Sequence, residues 1–168
     1  MNTAHLHLLL NHLPMIGTVM GTLILIAGFL LKNNPTIKQT ALGVLIFSAL
    51  TAIPANLTGE GAEELVEKLP GISETNIETH EDLGKLFLIV MLLLGSLSLL
   101  TFLASLFKTK FSSALYILVL VFSIGTSVFA KTVGTSGGEI RHSEIRSDAP
   151  GQNGNAPVQE NNGESDDD

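Results

Sequence analysis

The residues with the most chemical reach in this chain are its five histidines, and three of them sit in unusual company. His12 lies inside an apolar run, in Leu9-Leu10-Asn11-His12-Leu13-Pro14. A polar Asn-His pair in such a run costs free energy unless it is partnered, and by default marks a functional position. The plainer alternative is an interfacial histidine bonded to a neighbouring carbonyl. His5, seven residues earlier, shares a helix face with His12 at a separation of ~10 Å. His7 points elsewhere and reads as a solvent-exposed terminal residue. His80 stands one turn ahead of the third apolar run, flanked by Glu78, Glu81 and Asp82. A solvated polar helix end is its alternative reading. His142 belongs to Gly137-Gly138-Glu139-Ile140-Arg141-His142-Ser143-Glu144-Ile145. The glycine pair there predicts a tight turn that folds the segment back over the rest of the chain. Glu139 and His142 have the Glu-x-x-His spacing. A carboxylate-bridged di-iron site needs two such motifs plus two more glutamates, and the third apolar run offers none.

Neutral imidazole is the commonest protein ligand for metals. If His12, His80 and His142 meet at one edge of a small bundle, two of them on facing helices can ligate haem iron axially. Three, with or without a carboxylate, suit zinc, copper or non-haem iron. The expected site is therefore His12, His80 and His142, with His5 as a further metal ligand. Glu60, Glu64, Glu78, Glu81 and Glu139 are the carboxylates that could ligate or brace the ion. Asn11 is a supporting hydrogen-bonding group. Arg141 could pair with haem propionates or hold a ligating carboxylate. The chain has no cysteine, which removes disulfides, thiolate sites, iron–sulfur clusters and thioether-linked haem. No nucleophile elbow, P-loop or His-Glu-x-x-His motif is present.

These residues need elements to position them, and the hydropathy supplies four. Hydrophobic residues make up 45% of the chain and the mean hydropathy is +0.40. The apolar residues collect in runs over about 6–31, 39–57, 83–107 and 111–130. Each is close to the ~20 residues that cross a hydrocarbon core as a helix. The expected fold is all-α: a four-transmembrane-helix bundle over residues 1–146, with an outer helical loop. The runs are too continuous for the alternating strands of a barrel. The first run has no Lys or Arg ahead of it and is interrupted by His7, Asn11 and His12, so it reads as a retained span, not a signal peptide.

Charge orients the bundle. The loops after the first and third runs carry Lys32, Lys38, Lys108 and Lys110 and no acid. The positive-inside rule makes them cytoplasmic. All 16 acidic residues and all five histidines then fall on the opposite side. The absence of Asp, Glu, Lys or Arg from mid-span argues against a transmembrane ion path and makes a small transporter the weakest reading. No basic cluster exists to neutralise phosphates of a nucleic acid.

Finer features follow. Gly17 and Gly21 form a Gly-x-x-x-Gly pair, read as close helix packing within the bundle or, alternatively, as a dimer face. Pro14 and Pro54 predict irregular helix near the outer ends of the first two spans. Glu60 to Lys68 predicts a short helix broken at Pro70-Gly71. Ser73 predicts the N-cap of a helix running through His80 into the third span. Residues 147–168, rich in Gly, Asn and acid, read as a disordered acidic tail.

Several stretches resemble a known group. They are His5-Leu6-His7-Leu8-Leu9-Leu10-Asn11-His12, Leu57-Thr58-Gly59-Glu60 with Glu63-Glu64, Leu69-Pro70-Gly71-Ile72-Ser73-Glu74, Glu78-Thr79-His80-Glu81, and Gly137 through Ile145. Over residues 5–146 the chain resembles a family of small bacterial four-span membrane proteins with no established activity. That family is similar to a broader group of membrane domains of unknown function that open on His-Pro and His-Phe-Pro. The resemblance implies a bacterial membrane protein and supplies no catalytic residues; the charge pattern, with four spans, puts both termini on the periplasmic side of the inner membrane. Asn11-His12-Leu13-Pro14 departs from the aromatic form of the wider group, so a haem role assumed there does not carry over. The residues themselves favour haem b or a transition metal ion in a respiratory or redox role. The alternative is a non-catalytic accessory subunit of a respiratory or other membrane complex, its loop and tail serving as docking surfaces.

Overall fold

The computed structural model describes residues 2–146; the expected acidic tail, 147–168, lies outside them. The described residues fold as six α-helices and one 3-10 turn. They are α1 (Thr3–Leu10), α2 (His12–Leu30), α3 (Pro35–Leu57), α4 (Gly59–Val66), α5 (Glu74–Leu106) and α6 (Ser112–Arg141), with the turn at Ser143–Ile145. Counting α1 with α2 and α3 with α4, four helical stretches are long and apolar enough to cross a membrane. α2 packs on α3 and α6, and α5 packs on α3 and α6. The four long helices therefore form a ring in which each follows an up-down-up-down path. α1 and α4 lie together over one end, which we call the histidine end. The opposite end, with the loops at 31–34 and 107–111, is the lysine end.

Local chemistry explains the boundaries. Pro14 has no N–H to give the Leu10 carbonyl and its ring crowds that carbonyl. The helix accordingly breaks at Asn11, between α1 and α2. Pro54 is accommodated inside α3, where the Thr58 hydroxyl donates to the Pro54 carbonyl at 2.8 Å. α3 starts four residues earlier than its apolar run, because Asn34 caps it. The Asn34 side chain accepts from the Thr36 and Ile37 amides, and Pro35 fits the first helical position. Ser73 stands at the N-cap of α5 as expected, although its side chain makes no capping bond. Gly71, with φ +79°, supplies the left-handed turn between α4 and α5.

One expectation is corrected. Gly137 and Gly138 do not turn the chain; α6 runs through both and ends at Arg141. A Cβ at Gly137 would lie 2.9 Å from Cε1 of His80. The glycine is there so that an imidazole can rest against the helix.

Leu25, Leu42, Leu45, Met91 and Leu94 are buried between the helices together with small and hydroxyl side chains, and the surface is rich in large apolar ones. Thr18, Ser48, Ser98, Thr101 and Ser123 are wholly buried, whereas Leu23, Leu50, Leu93, Leu100, Val121 and Val128 are exposed. Most of the buried hydroxyls return to their own helix: Thr18 donates to the Pro14 carbonyl, Ser48 to Val44 and Thr101 to Leu97. That leaves little polarity facing outward and lets backbones approach. Gly17 faces Ser48 and Gly21 faces Leu45. The Gly-x-x-x-Gly pair thus serves α2–α3 packing inside one chain. Gly95 faces the Ala49 methyl at the α3–α5 contact.

A methyl at Gly95 would overlap Ala49, whose Cβ cannot swing away. Gly95→Ala is expected to destabilise the bundle by about 1–3 kcal/mol, as overpacking does. Gly43→Ala, which meets open space, should cost nothing and gain helix propensity. Reversible unfolding in detergent, followed by helical circular dichroism, separates the two.

Candidate functional site

The histidine end is built from α1, α4, the C-terminus of α3, the first turns of α5 and the last turns of α6. Thr3 of α1 fills the space beside Gly61 of α4, which holds the two short helices together. α1 thereby lays His7 against the end of α3. The His7 Nδ1 is 2.9 Å from the Ala55 carbonyl and 3.3 Å from Thr58 Oγ1. A carbonyl only accepts, so Nδ1 carries the proton and donates. The neutral ring then presents Nε2 as a lone pair.

His80, on α5, obeys the same logic through a relay. Its Nδ1 is 2.9 Å from Ser136 Oγ on α6. The Ser136 hydroxyl donates its own proton to the Val133 carbonyl at 2.8 Å. Ser136 must therefore accept from His80, and Nδ1–H is again the donor. His7 and His80 are both half-buried. Two imidazoles from different helices are thus held by Nδ1 with Nε2 unengaged. Outer hydrogen bonds of this kind fix the tautomer of ligating histidines.

The remaining expected residues do not join them. His12 is exposed at the start of α2, and His5 is exposed on α1. His142 is exposed beyond α6, where its Nδ1 meets Glu144 Oε1 at 2.7 Å. The Glu144 carboxyl is held below the usual carboxylate range, first by its own backbone N–H and then by His142. Glu60, Glu64, Glu78 and Arg141 are exposed, and Glu81 pairs with Lys85 at 2.9 Å. Glu139 contributes its backbone carbonyl, which accepts from Arg146 Nε at 2.8 Å. Asn11 turns its side-chain oxygen inward, where it is buried with no partner. Among the described residues, no three His, Asp or Glu side chains gather closely enough to hold a metal ion.

The structure reverses the expected ranking of His7 and His12. Sequence reasoning placed His12 inside because it lay deeper in the apolar run, and set His7 aside as terminal. Thr58-Gly59 was the available signal for His7. A small residue after a hydroxyl at the end of α3 leaves room for a ring, and a Cβ at Gly59 would lie 3.6 Å from His7 Cε1. For His80 the signal was Ser136-Gly137, a hydroxyl acceptor beside a missing side chain.

Comparison with protein-family models, with curated proteins and with solved structures finds no match to this chain.

In 15N spectra of the histidine-labelled protein near neutral pH, His7 and His80 should both show a protonated Nδ1 and a bare Nε2. Ser136→Ala should release His80 to a mixture of tautomers while His7 keeps its form. It should cost about 1 kcal/mol of stability, as loss of one part-buried hydrogen bond does. A His80 signal indifferent to Ser136→Ala would refute the relay.

Proposed function

We propose that this chain is an integral protein of the bacterial inner membrane whose periplasmic end carries a two-imidazole ligand site, His7 and His80, serving a redox role. The observation that carries the reading is the pair of fixed tautomers. Each ring spends Nδ1 on the protein and keeps Nε2 free. Three-ligand centres of the zinc, copper or non-haem-iron kind lack their donor set among the described residues. Two imidazole nitrogens from separate helices match the donor count of a bis-histidine haem b instead. Haem b, if held by these two residues, would supply one-electron transfer. The chain's own part is to present the two Nε2 atoms from α1 and α5 and to keep both rings from rotating. The carboxylates of α4 and the start of α5 give the periplasmic face its negative charge.

The membrane assignment is supported by the apolar outer surface of the bundle and by the partition of charge. No Asp or Glu occurs before Glu60 or between Asp82 and Glu139. The lysine end therefore carries only positive side chains, as cytoplasmic loops do.

A second reading is favoured by one observation. The histidine end is stitched by pairs that are already satisfied: Glu81 with Lys85, His142 with Glu144, His80 with Ser136. A non-catalytic accessory subunit of a larger membrane complex would look the same.

The purified protein should show a Soret band and a reduced α-band. His7→Ala and His80→Ala should each abolish the low-spin spectrum, while His12→Ala and His142→Ala leave it intact. Colourless, metal-free wild-type protein would sink the ligand reading and leave the accessory one. The orientation is tested separately. Because the chain has no cysteine, Glu64→Cys and Thr109→Cys each create one labelling site. A membrane-impermeant maleimide applied to spheroplasts should modify the first and spare the second.

A further inference from the structure

The lysine end holds a second, unrelated feature. A cavity of about 230 Å³ opens between the start of α3, the end of α5 and the start of α6. Lys38, Gln39, Ser105, Lys108, Ser113 and Tyr116 are among its lining residues. It falls a little short of the ~300 Å³ at which drug-sized sites begin, so it suits a small group.

Lys38 is only 6% exposed and Tyr116 only 4%. The ammonium of Lys38 donates to Asn33 Oδ1 at 2.7 Å and lies 4.4 Å from the centre of the Tyr116 ring. These contacts hold the cation in place without neutralising it. Among the described residues no carboxylate pairs with it, and none occurs before Glu60 or between Asp82 and Glu139. A buried cation without a counter-charge is costly. Lys108 adds a second positive charge at the rim.

Tyr116 supplies an independent sign of a missing partner. Its hydroxyl is buried and makes no hydrogen bond. Buried hydroxyls of tyrosine normally find a partner. Tyr116 lines the cavity together with Ser112 and Lys108. The first turn of α6 is itself free of any side-chain cap. Gln39 Nε2 donates to Ser105 Oγ, which donates in turn to the Phe102 carbonyl.

Two ammonium groups and the unpartnered Tyr116 hydroxyl thus reach this cavity from two helices and a loop. We propose that this cavity binds a phosphate group. Lys38 and Lys108 would balance its charge, and the Tyr116 hydroxyl and the α6 amides would donate to its oxygens. A tetrahedral oxyanion offers several acceptors to donors arriving from different directions. The phosphate could belong to an anionic lipid of the adjoining leaflet, whose headgroups dock in basic pockets between spans, or to a soluble phosphate ion. The proposal is independent of the histidine site.

Native mass spectrometry of the full chain in neutral detergent tests it, with phosphatidylglycerol, diacylglycerol and inorganic phosphate offered in turn. Phosphatidylglycerol should be retained at one copy, and diacylglycerol, which lacks the phosphate, should not. Retention of inorganic phosphate alone would assign the site to the soluble source. Tyr116→Phe, which keeps the ring under Lys38, should weaken retention roughly fivefold, the effect of one lost hydrogen bond. Lys108→Gln should do the same or more. Unfolding temperatures measured without lipid show that both variants are folded. Equal retention of phosphatidylglycerol and diacylglycerol, or retention untouched by Tyr116→Phe, would overturn the proposal and leave Lys38 a structural strut.

Discussion

The close approach of α3 to α2 and α5, at Gly17 against Ser48, Gly21 against Leu45 and Gly95 against Ala49, is the constraint on which the rest of the bundle depends. With so apolar an outer surface, the bundle would gain little in a lipid surround from burying leucine. It must be held by backbone proximity and dispersion. Small residues at the contacts allow that proximity. Most of the buried serine and threonine hydroxyls bond carbonyls of their own helices, so they do not prop the helices apart. Rotating α2 or α5 would take Gly17, Gly21 or Gly95 out of these contacts.

That packing sets the helix phases, and the phases set both ends. With α3 fixed against α2, the Ala55 carbonyl and Thr58 face the place where α1 folds over. With α5 fixed against α6, His80 meets Ser136 and lies on the bare backbone of Gly137. At the other end, the same α3 orientation turns Lys38 inward beneath Tyr116 of α6. The two ends then hold opposite chemistry. One offers lone pairs from imidazoles in a field of carboxylates. The other offers cations and hydroxyl protons with no carboxylate near.

The histidines illustrate where residue-level reasoning stops. Depth in an apolar run is a one-dimensional measure, and it favoured His12. Burial depends on which way the helix faces. His5 and His12, seven residues apart across the interruption at Asn11, are both exposed. His142 was expected to fold back through a turn at Gly137-Gly138. The helix continued instead, because the missing side chain was needed for an imidazole 57 residues away along the chain. A glycine pair reads alike whether it serves a turn or a close approach.

The amino-acid order by itself determined the four apolar helices, the short helix before Pro70-Gly71, the break near Pro14 and the separation of lysines from acids. Each rests on local propensity or on simple composition, which neighbours in space do not alter. Only the tertiary structure decided that His7 and His80 are the buried rings, that Nε2 is their free nitrogen, and that Lys38 and Tyr116 share a cavity. His7 bonds a carbonyl 48 residues away and His80 a hydroxyl 56 away. Contacts at that range follow from how the helices rotate against one another, and that rotation is settled by steric fit between whole surfaces.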